Sequence, residues 1–334
     1  MKKTIGWINI TLRRSGGFRY EEWARQGLAP FFDVELKDLS LSNSFKGRLR
    51  YLKPFLWIFG LVGLWFAKPK DVWVRDVMSA IVPIFTRKKN IIMVHHIDSS
   101  VWAPWQKFLY RFFLEKFIYH NIKRANAIVT ISNYWQKHFL DRGFPHVYKI
   151  YNCFPVEEYK ATDEEVSEFK KKFQLEGKPI VYIGNCQREK GVVGVYEALK
   201  DLPVHLVSSG EEMVKIPARN LHLDRKNYLL LLKAASLGIF MTQFKTGWDM
   251  TACETMLFKT PVIGTSIAAM RELVESSGQT ICDDFKELKG KVEYLLSHEE
   301  ERKAQGERGY EFVKDFTLER LQKGWLEVIN DVTK

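Results

Sequence analysis

At 334 residues, 46% hydrophobic and 27% charged, the chain is long enough for two domains with their own cores and too apolar to be disordered. Cys153, Cys186, Cys253 and Cys282 lie far apart with no C-x-x-C pair, which excludes a disulfide scaffold or zinc framework and reads as reduced cytosolic thiols. The net charge of +11 is one-sided: residues 1–160 hold 26 Lys and Arg against 12 Asp and Glu (+14), and the remainder holds 25 against 28 (−3). A basic half of this kind suits an anionic partner, whether membrane lipid, a phosphorylated acceptor or nucleic acid; a merely solvated basic face is the alternative.

The amino-terminal residues, Met1 to Thr4, lack the apolar core and cleavage site of a signal peptide. Lys3 to Ile10 reads as an opening strand, and Arg13 to Arg19, with Gly16 and Gly17, as a loop entering a helix from about Phe18 to Leu28. Paired glycines where a first parallel strand ends let the backbone approach a ligand, although the spacing is no G-x-G-x-x-G dinucleotide fingerprint. Phe32 to Leu39 is a second strand. Phe45 to Lys68 is basic and aromatic, and its uncharged run from Pro54 to Ala67 is 14 residues, short of the roughly 20 that cross a bilayer. A buried helix, or one that dips its aromatics into a lipid interface, fits that run.

Asp71 to Arg75 and Asn90 to Val94 are further strands, the second delivering His95 and His96. Trp102 to Arg124 is aromatic and basic, suited either to an anionic membrane or to packing before the strand Ala127 to Ile131. A domain boundary falls in the region 153–178, after Lys149 to Phe154 and before the buried strand Ile180 to Ile183. The loop Gly184-Asn185-Cys186-Gln187-Arg188-Glu189-Lys190-Gly191 follows. Strands at Val204 to Ser208, Leu221 to Leu223, Leu237 to Met241 and Pro261 to Gly264 alternate with helical stretches, which implies parallel β-α-β units. Helices from Asp284 to Ser297, Glu299 to Asp315 and Leu318 to Val332 end the chain.

The stretch from Met241 to Arg271 organises the second half. Its strand, a turn at Gly247, a helix from about Asp249 to Phe258 and a second strand place exposed backbone N–H groups where a phosphate would be favoured. Thr251-x-x-Glu254 also fits a capping box, in which the Glu reaches back to the cap. The wider pattern resembles the donor-binding signature of glycosyltransferase family 4, E-G-F-G-x-x-x-x-E-A-M-A-x-G-x-P-V-I-A. Glu254 takes the place of the second acid and Pro261-Val262-Ile263-Gly264 closes the motif, while Thr246 stands where the first acid belongs. Gly184 to Gly191 is similar to the family's G-R-L-x-x-E-K-G loop, with Lys190 and Gly191 kept and Asn185 in place of the Arg, for which Arg188 is a substitute. Lys149 to Phe154 resembles its interdomain V-I-P-N-G-V, with Asn152 kept, and Asn126 to Ser132 its D-x-I-x-x-x-S.

The resemblance implies a GT-B fold: two Rossmann-like doubly wound α/β domains facing across a cleft, an acceptor-side domain over 1–155 and a donor domain over 156–315, with the last helix, about 316–334, packing back on the first. It implies transfer from a nucleotide-diphosphate sugar with retention of configuration and no metal or other cofactor. Glu254 would hold the ribose, and Lys190 and Arg188 the diphosphate. Thr246, Gly247, Trp248, Asp249, Met250 and Thr251 would border phosphate or sugar with Gly184 and Asn185. His95 or His96 would lie beside the reacting sugar, and Gly16 and Gly17 would face the donor and acceptor. The acceptor class is a glycan or polyprenyl-linked glycan, met in the cytoplasm or at the inner face of the membrane, with no nucleic acid as partner. A donor-binding but inactive relative, a Rossmann oxidoreductase and a basic nucleic-acid binder are the competing classes.

Overall fold

The computed structural model describes residues 2–9, 16–39, 59–63, 66–83, 88–98 and 104–334, less the side chains of 106, 109 and 115. The loop positions before Gly16 and most of the aromatic segment Phe45 to Lys68 lie outside the described residues. The chain divides into two compact units, Met1–Cys153 with Leu318–Lys334, and Phe154–Thr317.

In the first unit six parallel strands, β1 (Thr4–Asn9), β2 (Asp33–Asp38), β3 (Val72–Asp76), β4 (Lys89–Val94), β5 (Ala127–Thr130) and β6 (Val147–Lys149), form a sheet in the order β2-β1-β3-β4-β5-β6. Every residue of β3 and β5 is buried, as expected of parallel strands covered on both faces. The order reverses between β1 and β3, and Asn9 and Asp76 end those two strands. At the opposite end, Asn126 ties β4 to β5, its Oδ1 accepting from Asn90 N at 2.8 Å. The helix Gly16–Leu28 turns Tyr20, Trp23, Ala24 and Leu28 inward. The terminal helix Leu318–Thr333 belongs to the same unit. Trp325 Nε1 donates to Tyr20 Oη at 3.1 Å, Gln322 Nε2 donates to Gly27 O at 2.6 Å, and the Trp325 and Trp7 rings lie 5.0 Å apart. Burying aromatic side chains of this size contributes about 2–3 kcal/mol each, which is why the end of the chain returns to its beginning.

The second unit repeats the plan. Strands β7 (Ile180–Asn185), β8 (His205–Ser209), β9 (Arg219–Leu221), β10 (Leu237–Phe240), β11 (Val262–Gly264) and β12 (Thr280–Ile281) are parallel in the order β12-β11-β10-β7-β8-β9. The reversal falls between β7 and β10, the place where open parallel sheets bind ligands outside their carboxyl ends. β12 is two residues long, too short for a periodic signal to mark it. Among the described residues no helix is long and apolar enough to cross a membrane.

One expectation needs correction. Gly16 and Gly17 do not sit in an entry loop; they form the first turn of the helix Gly16–Leu28. The aromatic and basic stretch is helical from Pro104 to Ile122, with Leu114–Ile118 π-helical between the α-helical segments Pro104–Phe113 and Tyr119–Ile122.

Candidate active site

The site in the second unit begins with a glycine kink. Gly184 adopts φ +80°, and the pairing of β7 with β8 shifts register between Tyr182 and Asn185. The loop beyond makes one 3₁₀ turn over Arg188–Lys190 and closes at Gly191, φ +79°, where an added Cβ would fall 2.1 Å from Met241 O. Only a glycine lets this loop lie against the one that leaves β10. Gln243 N donates to Glu189 O at 2.9 Å and fastens the same two loops again.

The loop from β10 leads into the helix Met250–Leu257, capped by Asp249, whose Oδ1 accepts from Ala252 N at 3.1 Å. Asp249 Oδ2 accepts from Lys190 Nζ at 2.8 Å, and the Asp is 2% exposed. Thr251 is therefore not the cap, and Thr251-x-x-Glu254 is not a capping box. With Asp249 at the cap position, Glu254 lies five residues in, too deep to reach back.

Glu254 instead turns into the unit and is 5% exposed. Oε1 accepts from Arg225 Nη1 at 2.7 Å and from Tyr159 Oη at 3.0 Å; Oε2 accepts from Tyr228 Oη at 2.8 Å. Arg225 Nη2 also donates to Tyr159 Oη at 3.0 Å. Burial by itself would lower the Arg225 pKa, but the charge of Glu254 and the Tyr159 oxygen outweigh it and hold the guanidinium above its usual range. Burial first, then the Glu254 charge, raises both tyrosine hydroxyls, so each stays a donor at neutral pH.

A cavity of about 10 Å³, room for a single water, opens at the β7/β10 reversal. Gly184, Asn185, Lys190, Asp249 and Thr251 line it over a floor of Ile183, Ile239 and Phe240. Five of the residues singled out in the sequence thus meet in one place. Glu254 does not line this cavity. Arg188 is exposed, Met250 is half-buried and Gly247 is buried. Thr246 is buried, its N–H donating to Phe244 O at 2.9 Å. Trp248 faces the core: its Nε1 donates to Cys253 Sγ at 3.2 Å and its ring meets Phe316 edge-on at 5.8 Å.

The first unit has its own polar cluster at the carboxyl ends of its strands. His95 lies over the start of the helix Gly16–Leu28, and a Cβ on Gly17 would come 3.1 Å from its ring. His95 Nε2 meets Glu21 Oε1 at 3.2 Å, and Glu21 Oε2 accepts from Trp7 Nε1 at 2.8 Å. Asp76 accepts from Met78 N at 2.8 Å; burial, with the Glu21 charge adding and His95 opposing, pushes its carboxyl up to about 7. His96 is exposed, so the geometry separates two adjacent histidines that the sequence left equivalent.

Arg225, Tyr159, Tyr228, Glu21 and Asp76 escaped the sequence reading. Arg225 follows Asp224, which caps its helix by accepting from Asn227 N, and that cap pattern was the available signal. Tyr159 and Glu21 meet their partners through the tertiary fold, and no local spacing marks them, whereas Asp76 is a local cap that accepts from Met78 N two residues on.

Residues 163–312 match the family model for glycosyl transferases group 1. An uncharacterized glycosyltransferase of Methanocaldococcus jannaschii is 27% identical over 169 residues, 46% of this chain and 48% of that protein, so the match spans about half the relative's length. Over the whole chain the structure is similar to Anabaena HepE, solved with UDP and glucose, at TM-score 0.76 and 14% identity, covering 98% of this chain and 99% of HepE. It is similar also to sucrose-phosphate synthase of Thermosynechococcus elongatus, at TM-score 0.75 and 15% identity, covering 98% of each chain. The chain therefore has the GT-B fold, and its second unit carries across residues 163–312 the sequence pattern of the group 1 glycosyl transferases.

Proposed function

We propose that this protein is a glycosyltransferase of the family 4 type that moves a sugar from a nucleotide-diphosphate donor to a glycan or lipid-linked acceptor, with retention of configuration, in polysaccharide or glycolipid assembly. The observation that carries this reading is the meeting of Gly184, Asn185, Lys190, Asp249 and Thr251 at the strand-order reversal of the unit that matches the group 1 pattern. HepE, with the same fold, has been solved with UDP-glucose, which supports a nucleotide sugar as donor.

Lys190 is the cation for the diphosphate: held on a glycine-closed loop, it would stabilise the charge that grows on the leaving group. The first turn of the helix Met250–Leu257 offers backbone N–H groups to the same anion. Glu254 is the acid for ribose hydroxyls, which must join or displace the Arg225, Tyr159 and Tyr228 donors. The departing phosphate takes the proton of the acceptor hydroxyl, so the reaction needs neither a protein base nor a metal. His95, fixed by Glu21, is read as a sugar contact, and Gly17 makes room for its ring. The setting is the cytoplasm or the inner face of the cell membrane, and nucleic acid is not a partner.

Thr246 in place of an acid favours one other reading, a donor-binding protein that does not turn over. Incubation of intact protein with UDP-, GDP-, ADP- and dTDP-sugars and a polyprenyl-linked glycan tests both. Nucleoside diphosphate release with a product of retained anomeric configuration supports the transferase. Binding without release supports the inactive relative, and neither binding nor release refutes both.

A further inference from the structure

The segment from Pro104 to Ile122 is built into the first unit along only part of its length. Leu114, Ile118, Tyr119 and Ile122 are buried in a core cluster with Trp135, Phe139 and Phe144. The earlier turns point elsewhere: Trp105 is 65% exposed, Phe108 72% and Phe112 46%. Their spacing, i, i+3 and i+7, places the three rings on one stripe of the helix Pro104–Phe113. Lys107, Arg111 and Lys116 are exposed beside it. From 104 to 124 the sequence has five Lys and Arg against one acid, a net of +4 (5 − 1). At the carboxyl end of the same segment a hollow of about 300 Å³ is lined by Tyr119, His120, Lys123, Arg142 and Phe144. Its cations are exposed and its floor is aromatic, with Lys123 Nζ 6.0 Å from the Phe144 ring centroid.

We infer that this face is a docking surface for an anionic phospholipid bilayer, with Trp105, Phe108 and Phe112 inserted at the headgroup boundary and the His120–Lys123–Arg142 hollow holding a lipid phosphate. An apolar stripe of large rings flanked by cations is the pattern of a helix lying in a membrane interface, where rings enter the acyl boundary and Lys and Arg meet the surface potential. A soluble acidic partner would match the cations but would leave a Trp and two Phe side chains to be covered by something else. The inference does not depend on the glycosyltransferase reading.

Sedimentation of the full-length protein with vesicles tests it, using phosphatidylcholine alone and phosphatidylcholine mixed with phosphatidylglycerol. The expected result is binding to the anionic vesicles alone, weakened by salt. The triple variant Trp105→Ser/Phe108→Ser/Phe112→Ser and the double variant Lys123→Ala/Arg142→Ala should each lower partitioning by about tenfold or more. Thermal unfolding of both variants should be as cooperative as that of the parent protein, which shows that they fold. Three results would overturn the proposal: no binding of the parent protein at low salt, undiminished binding of the triple variant, or a concentration-dependent dimer that the triple variant abolishes.

Discussion

Arg225 donates to Glu254 across 2.7 Å, and the same carboxylate accepts from Tyr159 and Tyr228, so the acid assigned to the donor ribose is already held by three protein donors. Such a carboxylate is fixed before a ligand arrives, and any ribose hydroxyl must fit around Arg225. Replacing Arg225 by Ala takes the cation away from a buried acid. The expected loss is about 1–3 kcal/mol of stability, at the low end because the guanidinium is partly exposed. A double-mutant cycle with Glu254→Gln in urea should return a favourable coupling energy, and strict additivity would show that the pair does not act together.

Lys190 is held by Asp249, which also caps the helix Met250–Leu257. Asn is as good a cap as Asp but carries no charge. Asp249→Asn should therefore keep stability within about 1 kcal/mol and release Lys190 to a diphosphate. Calorimetric titration with UDP should show binding severalfold tighter than in the parent protein. Weaker binding would mean that Asp249 positions Lys190 and does not compete with the ligand.

Gly191 combines a left-handed backbone with a Cβ direction that ends on Met241 O. Gly191→Ala must move the Lys190 loop away from the loop after β10, at a cost of about 1–3 kcal/mol or more. Urea unfolding and nucleotide titration should both register it. Unchanged nucleotide binding would separate loop closure from the donor site.

Asp76 supplies a pH signature. Its carboxyl stands at about 7 in the folded chain against 3.8 ordinarily, so between those values the folded state keeps a proton that the unfolded state has released. Stability therefore falls as pH rises from about 4 through 7, by up to about 4 kcal/mol from this group. Asp76→Asn keeps the acceptor for Met78 N and loses the penalty, so its advantage over the parent protein should be small at pH 4 and grow by pH 8. A difference that is flat with pH would contradict the raised carboxyl.

Much of the architecture was legible because parallel strands buried on both faces are apolar runs, and ten of the twelve strands overlap a stretch read as a strand, the half-buried three-residue β6 not among them. β12 was missed for its brevity. The glycines of the Lys190 loop were legible through the family resemblance, and the structure gives the physical reason for one of them, a φ of +79° at Gly191 that few other residues serve. Side-chain identity within the site was harder to read. Asp249 stands where the family pattern has a glycine, and only the structure shows it as both cap and counter-ion. Trp248 falls inside the motif yet faces the core, where its ring meets Phe316 and its Nε1 donates to Cys253 Sγ. The Arg225–Glu254 pair joins residues 29 apart in sequence, and no periodicity announces a contact of that kind.

The most direct measurement is equilibrium binding of a nucleotide-sugar panel to the intact protein and to Lys190→Ala and Glu254→Ala, read as thermal stabilisation, since a ligand of the folded state raises its apparent stability. One member of the panel should stabilise the parent protein and lose most of that effect in both variants, whose unfolding in the absence of ligand remains cooperative. Equal stabilisation of the parent and of both variants would contradict the placement of the donor site.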